Sequence, residues 1–275
     1  MLLFDIDGVI RDVGGSYRRA IVETVHHYSG WRPQPERIDA LKAEGRWNND
    51  WQASLELLRR RRAETPGQGS WTLPPYEELV EVFGGYYFGG NPDGDPQEWR
   101  GFIGSEPLLV EPAFFAALSE ADIAWGFVSG AEPPSARFVL GQRLGLAEAP
   151  LIAMGDAPDK PDPTGLLQLA TRLAGRPLGA GAPPLAYLGD TVADVQTVVR
   201  ARHTCPGQPL LSLAVAPPHL QESGREEARH RYEQALRAAG ADRILARTAA
   251  LTPELLLGWL EVAAAGLSAP SPPDS

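Results

Sequence analysis

Near its start the chain reads Leu2-Leu3-Phe4-Asp5-Ile6-Asp7-Gly8-Val9-Ile10. Three consecutive apolar residues that run into an acidic, glycine-containing turn have the pattern of a short buried strand ending in a polar loop. Ligands of open α/β sheets collect at the carboxyl ends of the strands, which puts Asp5–Gly8 where chemistry is done in such a fold. Asp5 and Asp7 lie two residues apart on an extended strand end, so their side chains point the same way.

Three further stretches carry polar groups directly after an apolar run or ahead of a helix. Ser129-Gly130 follows the strand-like Trp125–Val128. Asp159-Lys160-Pro161-Asp162-Pro163 precedes a helical pattern over Pro163–Leu173, and Gly189-Asp190-Thr191-Val192-Ala193-Asp194 follows the strand-like Leu185–Leu188. Between and after them, helices are expected over Pro112–Ala121, Ser135–Leu144, Arg225–Ala239 and Pro253–Ala264, the last with Thr252 as N-cap, and one begins at Ala193. Further strands are expected over Leu151–Met154, Leu210–Val215 and Asp242–Ala246. Alternation of this kind argues for a parallel sheet with helices on both faces.

The stretch from Gly14 to Gly104 breaks that alternation. Its helix-like runs are Tyr17–Ser29, Arg37–Glu44, Trp51–Arg62 and Tyr76–Tyr87, with no strand between them, and it holds 13 of the 22 aromatic residues. A helical insert with a core of rings rather than branched aliphatics is expected. The division is residues 1–13 with 105–267 as an α/β core, 14–104 as the insert, and 268–275 as a disordered tail.

Composition narrows the function classes. A net charge of −10 gives no electrostatic drive toward nucleic-acid backbones or anionic membranes. The 43% apolar content allows a sizeable core, and 29 glycines with 26 prolines imply many loops. The single cysteine, Cys205, cannot form an intramolecular disulfide, and no Cys/His cluster has zinc spacing. The N-terminus reaches an acid after three apolar residues without a basic region, unlike a signal peptide. Together these point to a cytoplasmic setting.

Taken together and in this order, the four stretches resemble the motifs of the haloacid dehalogenase superfamily, in its phosphoglycolate phosphatase-like subfamily with a helical cap inserted after the first strand. Asp5 and Asp7 match the first motif, Ser129 the second, Lys160 the third, and Asp190 with Asp194 the fourth. The resemblance implies a Rossmann-like core and Mg²⁺-dependent phosphoryl chemistry on a small phosphorylated metabolite. In that reading Asp5 attacks phosphorus and Asp7 is acid and base toward the leaving group. Ser129, Gly130 and Lys160 bind phosphoryl oxygens, and Asp5 and Asp190 hold the metal with the Asp7 backbone carbonyl. Asp194 ligates through water or orients Lys160. An acid at position 7 argues against dehalogenation, which family members perform without one. A phosphomutase on the same scaffold, or a catalytically idle binding protein, are the alternatives.

The insert, as a cap, would read the leaving group. Candidate contacts are Asn49 and Trp51, weighed against a plain N-capped helix with an apolar stripe Trp51, Leu55, Leu58, and Arg18, weighed against a solvated surface residue.

Overall fold

The computed structural model describes residues 1–44, 46–47, 49–66 and 71–268. Six parallel strands form one sheet in the order β3-β2-β1-β4-β5-β6. They are β1 (Leu2–Phe4), β2 (Trp125–Val128), β3 (Leu151–Ile152), β4 (Leu185–Gly189), β5 (Leu210–Val215) and β6 (Arg243–Leu245). β1 lies at the centre, with Phe4 paired to Phe127 of β2 and to Leu188 of β4. Alternate residues of each strand enter opposite faces. Leu2, Phe4, Ala186, Leu188, Leu211 and Leu213 enter one hydrophobic cluster, while Met1, Leu3, Leu185, Tyr187 and Leu210 enter the other. Burial on both sides is why the strands read as continuous apolar runs. The carboxyl ends of β1, β2 and β4 lie side by side, and the stretches at Asp5, Ser129 and Asp190 emerge there, while Asp159–Pro163 lies between β3 and the helix Thr164–Ala174.

This core comprises residues 1–12 and, of the described residues, 108–268. Its helices are α5 (Pro112–Glu120), α6 (Pro133–Arg137), α7 (Thr164–Ala174), α8 (Val192–Thr204), α9 (Glu226–Ala239) and α10 (Pro253–Ser268), numbered after the four of the insert. Two expectations need correction. The run Ser135–Leu144 is α-helical only as far as Arg137 and continues as a π-helix over Phe138–Arg143. The strand expected to reach Met154 stops at Ile152, because the Asp156 carboxylate accepts from the Ala153 N–H at 2.9 Å and folds the chain into a turn. Of the expected tail, Ser268 closes α10 and residues 269–275 lie outside the described residues.

Residues 13–107 form a second unit. It contains α1 (Tyr17–Ser29), α2 (Pro35–Ala43), α3 (Asp50–Glu64) and α4 (Tyr76–Tyr87). Rings supply part of its core: Tyr17 stacks on Tyr87 with centroids 4.2 Å apart, and Phe88 meets Trp99 edge-on at 4.7 Å. Aliphatic residues supply the rest, with Ile21, Val25, Ile38, Leu41, Leu57, Leu58 and Leu79 all buried, which corrects the expectation of a core built from rings. On α3 the buried face runs through Ala53, Ser54, Leu57 and Leu58, so Trp51 and Leu55 are only half-buried. Among the described residues no helix is long and apolar enough to cross a membrane.

Candidate active site

Asp5 is fixed by the sheet itself. Its N–H donates to the Leu188 carbonyl at 2.9 Å, extending the β1–β4 ladder by one residue. Its carboxylate accepts from the Ile6 N–H at 2.8 Å and faces the Lys160 ammonium at 2.9 Å. The residue is only 6% exposed. Burial raises its pKa to about 6, with Lys160 opposing the rise and Asp194 and Asp7 adding to it.

The next turn brings Asp190 close. Gly8 has φ +75°, and a Cβ built on it would fall 2.0 Å from Asp190 Oδ2. Only glycine meets both the left-handed backbone and this approach. Asp190 leaves the end of β4, is 8% exposed, and its carboxylate has neither a hydrogen bond nor an ion pair among the described residues. Burial pushes its pKa well up, and the neighbouring Asp194 and Asp5 add to the rise.

Asp194 is the opposite case. One of its oxygens accepts from the Lys160 ammonium and lies 3.1 Å from the Tyr187 hydroxyl; the other accepts from the Thr191 N–H at 2.9 Å and the Thr191 hydroxyl at 2.6 Å. Thr191 and Asp194 form a capping box that starts α8. Burial works to raise the pKa of Asp194, but Lys160 and the Thr191 donors outweigh it and hold the carboxyl below its usual range. Lys160, buried among these acids, resists deprotonation: desolvation lowers its pKa, but Asp194 and Asp5 more than reverse that. Its ammonium also reaches the Tyr187 hydroxyl at 3.2 Å, and that hydroxyl lies 2.8 Å from the Val128 carbonyl.

One carboxylate oxygen from each of Asp5, Asp190 and Asp194 lies within 4.8 Å of the others. An all-oxygen donor set with one buried, unpartnered carboxylate suits a small hard cation such as Mg²⁺. Both oxygens of Asp194 are spent on other donors and those of Asp5 meet the Ile6 N–H and Lys160, so among these acids the Asp190 carboxylate is the one without another donor among the described residues.

Ser129 and Gly130 line a cavity of about 30 Å³ together with Lys160. The Ser129 N–H donates to the Ile152 carbonyl at 2.9 Å, and its hydroxyl oxygen accepts from the Ala131 N–H at 3.2 Å. This leaves the hydroxyl hydrogen and the Gly130 N–H without acceptors among the described residues.

Asp7 is held by a residue the sequence reading passed over. Arg11, completely buried, donates from Nε to Asp7 Oδ1 at 2.7 Å and from Nη2 to the Ser135 hydroxyl at 2.6 Å. Glu132 lies beside this pair, and burial raises its pKa to about 7, lowered in part by Arg11 and raised by Asp7. The i to i+4 spacing of Asp7 and Arg11 is a signal only on a helix, and this segment is a loop. Tyr187 was likewise hidden within an apolar strand, whereas the Thr191-x-x-Asp194 pattern of the capping box was visible.

The residues singled out in the insert lie in the second unit. Asn49 caps α3 by accepting from the Gln52 N–H at 3.0 Å, and Arg18 forms an ion pair with Asp39. Trp51 is half-buried at the start of α3.

A 197-residue stretch, 70% of the chain, is 32% identical to the imidazoleglycerol-phosphate dehydratase of Phytophthora nicotianae, and the chain spans 40% of that protein's length. Among solved structures, phosphatase Tt82 from Thermococcus thioreducens is similar with a TM-score of 0.55 and 20% identity, over 86% of this chain and 98% of that one. A HAD family hydrolase from Deinococcus radiodurans R1, with bound phosphate and sodium, reaches 0.58 and 18% over 98% and 97%. These two likenesses show a shared fold. The model of haloacid dehalogenase-like hydrolases matches residues 1–202, and this chain belongs to that family.

Proposed function

We propose that the chain is a Mg²⁺-dependent phosphatase acting on a small phosphorylated metabolite through an aspartyl-phosphate at Asp5. The observation that carries this reading is the buried cluster in which a lysine faces Asp5 while the Asp190 carboxylate has no hydrogen bond or ion pair among the described residues. A phosphate monoester repels nucleophiles, so its hydrolysis needs fixed positive charge and an oxygen placed in line. Asp5 and Asp190 hold the cation, together with the Asp7 main-chain carbonyl, which accepts no hydrogen bond among the described residues. A cation held there would supply positive charge to offset that of the phosphoryl group.

The chain's own residues supply the remaining steps. Lys160, the Ser129 hydroxyl and the Gly130 N–H take the phosphoryl oxygens. An Asp5 carboxylate oxygen attacks phosphorus, the bond from phosphorus to the leaving oxygen breaks, and protonated Asp7 gives that oxygen its proton. Water then attacks the phosphorus of the aspartyl-phosphate, Asp7 takes the proton, and the bond to Asp5 breaks to release inorganic phosphate and restore the carboxylate. Asp194 is a positioning residue that fixes Lys160 and starts α8. Arg11 is another, holding the Asp7 carboxylate.

In the second unit Asn49 and Arg18 already have partners, so Trp51 is the insert residue proposed to meet the leaving group. The test is phosphate release from a panel of phosphorylated acids, alcohols and sugars with Mg²⁺ and with excess EDTA. Release that EDTA abolishes supports the reading. Isomerisation of a sugar phosphate without phosphate release would instead identify a phosphomutase, and release undiminished by EDTA would remove the metal.

A further inference from the structure

The Asp190 carboxylate makes no hydrogen bond or ion pair among the described residues, so no side-chain partner sets its direction. The backbone that bears it has to be fixed instead. The peptide that joins Asp190 to Thr191 is tied at both edges: its N–H donates to Asp194 Oδ2 at 2.9 Å, and its carbonyl oxygen accepts from the Tyr232 hydroxyl at 2.9 Å. The carbonyl and N–H of a trans peptide point to opposite sides, so one bond on each side stops the unit from turning about the chain axis. The turn around it is tight as well. A Cβ on Gly189 would fall 2.2 Å from Asp194 Cβ, and one on Gly8 would fall 2.0 Å from Asp190 Oδ2.

Tyr232 reaches this peptide from α9, well past the last of the four motifs. Its ring is packed against Val195 of α8, Ala214 of β5 and Leu236 of α9 itself, which gives the hydroxyl a fixed place. The bonds then run on as one chain. Tyr232 donates to the Asp190 carbonyl, the N–H of the same peptide donates to Asp194, and Lys160 donates to the other Asp194 oxygen while facing Asp5 at 2.9 Å. Hydrogen bonds linked in this way polarise one another, so a donor on the carbonyl makes the N–H a better donor to Asp194.

We propose that Tyr232 is a positioning residue for the cation site: its hydroxyl, held by the packing of α9, locks the Asp190–Thr191 peptide and so keeps the Asp190 carboxylate beside Asp5, where their oxygens lie within 4.8 Å. The inference rests on the reading that Asp5 and Asp190 hold Mg²⁺. Groups that orient a metal ligand from behind it change metal affinity by about 10–100-fold when removed.

The test uses the full chain without substrate. Tyr232→Phe keeps the ring and removes only the hydroxyl. In the metal-free protein, exchange of the Thr191 amide followed by NMR should accelerate about tenfold, and the Mg²⁺ Kd from calorimetric titration should rise about tenfold or more. Leu236→Ala opens the same packed cluster but leaves the hydroxyl, so it should lower Tm with little change in the Mg²⁺ Kd. An unchanged Mg²⁺ Kd in Tyr232→Phe would overturn the proposal whatever the amide shows, and equal weakening in both variants would assign Tyr232 to packing alone. If the unmodified chain bound Mg²⁺ but released phosphate from no ester, the phosphatase reading would fall, while a tenfold weaker Kd in Tyr232→Phe would still sustain this role. If the unmodified chain bound no Mg²⁺, the cation reading would fall and the role of Tyr232 with it.

Discussion

Replacing Lys160 by Met removes a cation that faces two buried acids. The ammonium lies 2.9 Å from Asp5 Oδ2 and is bonded to Asp194, with side-chain exposures of 15%, 8% and 1% for Lys160, Asp5 and Asp194. Methionine fills similar volume, so the change is chiefly one of charge. Stripping one partner from a buried ion pair costs about 3–5 kcal/mol because the charge left behind is uncompensated. For a chain of this size each kcal/mol lowers Tm by roughly 2–4 °C, so the loss at pH 7.5 should be on the order of 10 °C. The pH dependence separates electrostatics from packing. The Asp194 pKa is depressed, so its pairing stabilises the native state above the unfolded carboxylate value and is lost as pH falls through the folded one. The Asp5 pKa is raised to about 6, so its ionisation costs stability above that pH. Without Lys160 both acids are pushed up, and protonation relieves both in mild acid. Thermal unfolding of the metal-free protein should therefore show a deficit at pH 7.5 that shrinks markedly at pH 5. A deficit of equal size at both, or none, would refute the electrostatic account. Turnover should also fall by about 10²–10³, as for loss of a fixed transition-state donor.

Arg11→Met should slow esters of alkyl alcohols far more than p-nitrophenyl phosphate, whose leaving group needs no proton, because Arg11 holds the Asp7 carboxylate at 2.7 Å; equal losses would mean that Arg11 serves folding alone. Mg²⁺ should raise Tm more at pH 7.5 than at pH 5, since protons compete for Asp5, which titrates at about 6, and for Asp190, whose pKa is pushed well up; an increment independent of pH would contradict cation binding by these acids. Gly8→Ala should cut both Mg²⁺ stabilisation and turnover, because its Cβ would fall 2.0 Å from Asp190 Oδ2 at φ +75°, and full retention of both would show that this loop yields freely. Trp51→Ala should lower kcat/KM for the preferred ester about tenfold, a loss of about 1.4 kcal/mol of transition-state contact, and spare a small aryl phosphate. Equal losses on both substrates with a large fall in Tm would assign Trp51 to packing.

What could be read from the sequence follows from how local each signal is. The Leu2–Phe4 run and the acidic turn after it are contiguous, and strands buried on both faces announce themselves as short apolar runs, so the parallel sheet and the loops at its carboxyl ends were legible. Asp5, Lys160, Asp190 and Asp194 are brought together, as the motifs implied. The division of work among them was not legible, because it depends on contacts between residues far apart in the chain: Asp194 is saturated by Lys160 and Thr191, whereas the Asp190 carboxylate has no hydrogen bond or ion pair among the described residues. Arg11 was missed because an arginine between Ile10 and Asp12 looks like surface, and its burial depends on Ser135, 124 residues away. In the insert, aromatic richness was visible, yet which rings are buried is set by the packing of α1 on α3 and α4; Tyr17 and Tyr87 face inward, and Trp51 does not.

The central claim is that phosphorus is bonded to Asp5 during the reaction. A substrate with chiral phosphorus measures it most directly, combined with acid quenching in the first turnovers and mass analysis of the peptide that contains Asp5. Two successive displacements predict net retention of configuration at phosphorus and a phosphoryl group on that peptide that hydroxylamine removes. Inversion of configuration, with no phosphoryl group on Asp5, would show direct attack by water and contradict the account.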